Sequence, residues 1–146
     1  MARLSLKLLL LMLSAMGASP GNAVDELAGY WQHESDPVWI EMQPESGQGV
    51  IVRNDNRPDR LGFLVVTDLE ASDEPNEWSA QVFAARLGEY RKAGITLSAD
   101  GRMVFTVKVG FMRRSVEWRR VPEVPPAPND KSTLGLPAIK IETRHE

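Results

Sequence analysis

From Gly29 to Val121 the chain alternates apolar and polar residues with a period of two, and turn residues separate the runs. Val38, Ile40 and Met42 alternate with Trp39 and Glu41, and Val50-Ile51-Val52-Arg53 follows the turn Ser46-Gly47-Gln48-Gly49. A polar loop, Asn54 to Asp59, leads into Leu61-Gly62-Phe63-Leu64-Val65-Val66, a nearly unbroken apolar run of the kind a strand covered on both sides shows. A helical pattern also fits Leu61 to Leu69, but Gly62, Val65, Val66 and Thr67 disfavour a helix. Beyond the turn Asp73 to Asn76, the residues Trp78, Ala80, Val82 and Ala84 share one face, and Tyr90 to Leu97 is the next run. Asp100-Gly101 marks a hairpin before Met103, Phe105, Val107 and Val109, and Met112 to Val121 closes the series. With Gly29 to His33 this predicts about eight strands at the spacing of a β-sandwich or barrel, and no long amphipathic helix.

The flanks read differently. Arg3 and Lys7 precede the apolar run Leu8 to Leu13, and Gly21-Asn22-Ala23 offers small residues three and one positions before a cut after Ala23. Residues 1–23 are therefore expected to be a secretory signal peptide, too short in its apolar part for the ~20 residues that span a bilayer. Residues 24–121 are the expected β-domain and 122–146 a Pro-rich flexible tail, opening Pro122-Glu123-Val124-Pro125-Pro126-Ala127-Pro128. The apolar stretch Leu134 to Ile141 leaves open a short strand that adds to a sheet edge.

Composition narrows the compartment and the partners. The chain contains no cysteine, which excludes an acylated lipoprotein terminus and any disulfide, so the fold rests on its core alone. An exported, periplasmic protein of a Gram-negative type of envelope fits. Without Arg3 and Lys7 the 17 basic side chains become 15 against 20 acidic ones, a net charge of about −5. That balance argues against nucleic acid as a partner and against nonspecific binding to an anionic membrane.

The ends of the β-domain carry a second signal. Gly29-Tyr30-Trp31 opens it and Val116-Glu117-Trp118-Arg119-Arg120-Val121 closes it. A Gly-x-Trp on the first strand with an aromatic and an arginine on the last resembles the calycin signature of lipocalin-like barrels. There the indole plugs one end and the arginine packs over its ring. Strand phase puts Arg120, not Arg119, on the face of Trp118 and Val116, so Gly29, Trp31 and Arg120 are the expected barrel-closing residues.

The order of features from Gly29 to Val121 also resembles the domain-of-unknown-function 2147 family of small exported bacterial proteins. The matching pieces are Gly-x-Trp, Gly47-Gln48-Gly49-Val50-Ile51-Val52, the loop Asn54 to Gly62, Glu77-Trp78, Ile95-Thr96-Leu97 before Asp100-Gly101, Val109-Gly110 and Trp118-Arg119-Arg120. Phe83 to Glu89 lacks that family's usual Tyr-Asp-Pro-like turn and Gly-Lys. The resemblance implies a fold and a compartment but no reaction: an all-β, antiparallel up-and-down barrel of about eight strands, lipocalin-like.

Candidate chemistry is thin. His33 lies near Glu34 and Asp36, but no further ligand is spaced to complete a metal site, and His145 sits in the tail. Ser35 beside His33 is no triad, and no nucleophile elbow, phosphate loop or dinucleotide fingerprint occurs. Glu41, Glu45, Asp55 and Asp59 fall mostly at turns, where solubility explains them. The expectation is a non-enzymatic protein with no cofactor and no metal.

The basic residues are more suggestive. Arg86, Arg91, Lys92, Lys108, Arg113, Arg114, Arg119 and Arg120 cluster in the last three strands. They form either a solvated outer face or, in part, an interior that needs an anion. Arg91 is in phase with Ile95 and Leu97, and Arg114 with Val116 and Trp118. A buried arginine requires an anion, which an acyl-chain carboxylate or an internal acid would supply equally. Arg91, Arg114, Phe105, Val107 and Trp118 are thus the candidate ligand-binding residues for a small amphipathic or acyl-type molecule. The alternative is an envelope protein-protein interaction module with a filled interior, read through Trp39, the Asn54–Arg60 loop or the tail. Trp39 is out of phase with Val38 and Ile40, which leaves it exposed or at a rim.

Overall fold

The computed structural model describes residues 23–128. A 3₁₀ turn, Ala23–Leu27, precedes eight strands: β1 Gly29–His33, β2 Val38–Gln43, β3 Gln48–Asn54, β4 Leu64–Ala71, β5 Glu77–Ala84, β6 Glu89–Leu97, β7 Arg102–Val109 and β8 Met112–Val121. Each strand pairs antiparallel with the next, and β8 returns to β1 to close the barrel. The seam pairs Tyr30 with Val121, Trp31 with Arg120, Gln32 with Arg119 and His33 with Trp118. The chain is therefore all-β, in an up-and-down barrel whose sheet closes on itself. The proposed leader, residues 1–23, lies outside the described residues apart from Ala23, and so does the tail beyond Pro128, with Leu134 to Ile141 and His145.

Period-two alternation supplies the core. Trp31, Ile40, Met42, Ile51, Val66, Trp78, Ile95, Met103, Phe105 and Trp118 form one buried cluster across all eight strands. Gly49 is required by this packing. A Cβ there would stand 2.8 Å from Met42 Sδ and 3.0 Å from Val66 Cβ, so β2 and β4 approach over its bare backbone.

The ladders shift register at Trp39/Ile40, Gly49/Val50 and Thr67/Glu70. The sequence reading shifts in two places. The apolar run from Leu61 does not begin a strand: Gly62 turns with φ +81°, Leu61 is 65% exposed, and β4 starts at Leu64. Trp39 is only 6% exposed, although it lies outside the core cluster. The Arg53 guanidinium lies over its ring at 4.2 Å and is held by Asp55 through two bonds of 2.8 and 2.7 Å. The same guanidinium donates to the carbonyls of Pro125 and Pro126, at 2.6 and 2.9 Å, which straps the start of the Pro-rich segment to the barrel wall. Prolines cannot donate to a ladder but keep their carbonyls, so an arginine is the natural clasp.

An up-and-down meander sends alternate connections to alternate ends. One end carries the N-terminal 3₁₀ turn and the loops Pro44–Gly47, Ser72–Asn76 and Ser98–Gly101. The other carries Glu34–Pro37, Asp55–Phe63, Ala85–Gly88 and Gly110–Phe111. The first end is plugged and the second is open.

Candidate functional site

The plug is built around Trp31, which is fully buried. Its Nε1 donates to the Leu27 carbonyl at 2.9 Å, tying the ring to the 3₁₀ turn that crosses the barrel end. Arg120 covers the other side of the ring at 4.2 Å and donates to the carbonyls of Ala28, at 2.6 Å, and Glu26. One guanidinium thus makes a cation–π contact and satisfies two carbonyls of an irregular segment. Arg119 instead binds Gln32 Oε1 at 2.9 Å. Gly29 sits at φ +114°, and a Cβ there would come within 3.3 Å of Arg120 Nη1, so its bareness leaves room for the arginine.

Beyond this plug and the packed layer of Ile40, Met42, Val66, Trp78, Ile95 and Met103, the barrel opens into a hollow. A cavity of about 750 Å³ extends to the open end, within the size range of pockets that hold small organic ligands. Apolar side chains from nearly every strand form its wall, among them Ile51, Val65, Val82, Phe105, Val107 and Trp118. Val107 and Arg114 are directly paired across β7 and β8, and both line it. Of the residues expected from sequence, Phe105, Val107, Arg114 and Trp118 come together here.

Arg91 does not join them. It pairs with Glu89 at the surface and lines an outer groove with Lys92, Gly94, Thr106, Lys108 and Arg113. Its phase with Ala93 and Ile95 holds, since β6 runs in unbroken register with β5 past it, opposite Val82. The partner strand on the other side is what fails. β6 and β7 pair only from Leu97–Met103 to Ala93–Val107, while β5–β6 continues to Ala84–Glu89 and β7–β8 to Val109–Met112. Above Ala93 the two hairpins part, and Arg91 stands at the gap rather than inside a closed wall.

Three arginines and one carboxylate, Asp36, line the cavity toward its mouth. The arginines are Arg60, Arg86 and Arg114, and none has a salt-bridge partner among the described residues, whereas Arg53, Arg57, Arg91 and Arg102 each have one. Arg60 is held over the rings of Phe63 and Phe83, at 5.5 and 5.1 Å, themselves packed edge to face at 4.9 Å. Tyr90 closes against Phe83 and donates to the Leu64 carbonyl at 2.6 Å. Sequence reasoning named Arg86 only within the basic cluster and Arg60 only as the end of a partner-reading loop, and gave neither as a cavity residue. The signal was nonetheless present, because a meander brings the loops after β1, β3, β5 and β7 to one end.

On the opposite rim, His33 stacks edge-on against Trp118, with ring centroids 4.9 Å apart. Its Nδ1 accepts the backbone N–H groups of Ser35 and Asp36, both at 3.0 Å, so this nitrogen folds the Glu34–Pro37 turn and has no lone pair free for other chemistry. Among the described residues no group of His, Asp and Glu is arranged to hold a metal ion. Arg102 ties the same turn to the wall through Glu34 and Glu117, at 3.2 and 3.1 Å, and its pKa is raised, first by the hydrogen bond to Glu117 and then by the Glu34 charge. The Nε1 groups of Trp39, Trp78 and Trp118 are buried without a hydrogen-bond partner.

These features define a class: a small closed β-barrel with one end plugged by a tryptophan and an arginine, and an apolar cavity opening at the other, where Arg60, Arg86, Arg114 and Asp36 line it. No family model, curated protein or solved structure matches the chain.

Proposed function

We propose that this protein is a non-catalytic carrier that takes up a small amphipathic anion, such as an acyl chain with a carboxylate head group, inside the barrel. The observation that carries this reading is the cavity of about 750 Å³ with its apolar wall and the free guanidinium groups of Arg60, Arg86 and Arg114 at its mouth. The chain would enter first and lose apolar surface to water, at roughly 25 cal/mol per Å² buried. The head group would stop at the arginines, whose forked donors match a carboxylate.

The Trp31–Arg120 plug supports a calycin-type assignment, and the apolar N-terminal stretch supports export to the periplasm, where a carrier of this kind would work. The interaction-module reading called for a filled interior, with Trp39, the Asn54–Arg60 loop or the tail as the recognised feature. The cavity speaks against the filled interior, and the Arg53 clasp covers Trp39 but not the loop.

A fluorescent fatty-acid probe tests the proposal. Its emission should rise on mixing with the purified protein, an unlabelled fatty acid should displace it, and Arg114→Ala should weaken uptake about tenfold, the loss of one charge-assisted contact. A folded protein that leaves the probe dark overturns the reading.

A further inference from the structure

Charge and exposed apolar residues are distributed along the barrel axis in a way the carrier reading does not require. The plugged-end loops and 3₁₀ turn hold Asp25, Glu26, Glu45, Asp73, Glu74 and Asp100, and no lysine or arginine. At the open end, the β5–β6 and β7–β8 hairpins carry Arg86, Lys92, Lys108, Arg113 and Arg114 beside the Glu89–Arg91 pair. The other two open-end loops hold Glu34, Asp36, Asp55 and Asp59 beside Arg57 and Arg60, so the excess of cations belongs to the β5–β6 and β7–β8 hairpins and not to the whole end.

The large apolar side chains left exposed among the described residues all lie at or next to the open end: Leu61, Leu87, Tyr90, Phe111 and Met112. Phe111, at 110%, is as exposed as a side chain can be. It occupies the second position of a two-residue turn whose first position, Gly110, has φ +62°, the glycine-first pattern of a tight hairpin. Nothing in that turn calls for a phenyl ring. The β7–β8 tip also stands clear of its neighbours, because β6 leaves β7 at Val107 and β8 pairs with β1 only from Trp118 to Val121. An apolar point on a projecting arm, collared by Lys108, Arg113 and Arg114, matches the chemistry of a bilayer surface with anionic head groups, where the ring enters the interface and the cations meet phosphates.

We propose that the open end docks on an anionic lipid membrane through Phe111 and Met112, with Leu87 alongside and the basic collar on the head groups, so that the cavity mouth faces the leaflet. Docking rests on its own observations. If the carrier reading also holds, it would deliver the ligand between bilayer and barrel without passage through bulk water.

Vesicle flotation with the exported, processed protein tests it. The protein should float with phosphatidylglycerol-containing vesicles and not with pure phosphatidylcholine. Binding should fall sharply near ~1 M salt, where the Debye length is about 3 Å. Lys108→Glu with Arg113→Glu should weaken partitioning at least about 25-fold, at roughly fivefold per cation removed. Phe111→Ser with Met112→Ser, surface changes that leave the core untouched, should weaken it about tenfold. Equal behaviour on both lipids, or binding that ignores the tip substitutions, overturns the proposal, and a protein partner would then be the remaining occupant of the tip. The soluble fatty-acid probe, measured without vesicles, keeps the two readings apart: lost flotation with intact probe uptake refutes docking alone.

Discussion

The two ends of the barrel use arginine in opposite ways. At the plugged end Arg120 is fully employed, over Trp31 and on the carbonyls of Ala28 and Glu26, and its partners carry no titrating group. At the open end Arg60, Arg86 and Arg114 have donors to spare beside an apolar hollow. The same side chain on the same strand, β8, is structural at position 120 and available at position 114. The lesson is that an arginine's role follows from whether the fold supplies its acceptors. Where it does, the residue holds the protein together; where it does not, the guanidinium stays in water and open to an outside acceptor.

The contrast predicts separate consequences for stability and binding. Trp31→Ala should have the largest effect, about 3–5 kcal/mol, since it removes a fully buried aromatic that plugs the barrel; urea unfolding monitored by circular dichroism reads this directly. Arg120→Ala should cost about 2–3 kcal/mol in the same measurement, because two carbonyls lose a charged donor and the indole loses its cover. Arg60→Ala and Arg114→Ala should change stability by no more than about 0.5 kcal/mol while each weakens probe uptake. If the open-end variants unfold the protein as readily as Arg120→Ala, the division between the ends is wrong.

Acid should divide the molecule along a third line, with the smallest effect. Hydrogen bonding from Arg53 holds the Asp55 carboxyl below the usual carboxylate range and raises the arginine's own pKa. A depressed folded value means that the pair's contribution is present above the unfolded value near ~3.9 and is lost as pH falls through the lower folded value. Below that range the clasp on Pro125 and Pro126 should loosen, seen as a change in Trp39 emission, while the Trp31–Arg120 plug stays intact. A Trp39 signal that is flat to the acid limit of the fold would show that the strap does not depend on Asp55.

Much of this was legible in the chain. Apolar patterning and turn residues located all eight strands; counting residues chose Arg120 over Arg119, and the calycin-like signature supplied its pairing with Trp31. Phase counting placed Arg91 and Trp39 on the right faces but missed their surroundings, for related reasons. It says which side of a strand a residue occupies, not whether a neighbouring strand continues past it or something covers the outside. The parting of β6 from β7 above Ala93 exposes the first, and the Arg53 clasp buries the second; both depend on contacts distant in sequence. Arg60 and Arg86 lie in loops, where alternation is silent, and only the topology of the meander brings them to the cavity mouth.

The hollow is what separates a carrier from a packed barrel, so filling it is the most direct test. Val107 lines the cavity opposite Arg114 and is only partly buried, which leaves room for a larger side chain. Val107→Trp should keep the unfolding midpoint of the wild-type protein or raise it, and should abolish uptake of the fatty-acid probe. A folded Val107→Trp variant that binds the probe as the wild type does would contradict the account, because the ligand would then sit somewhere other than inside the barrel.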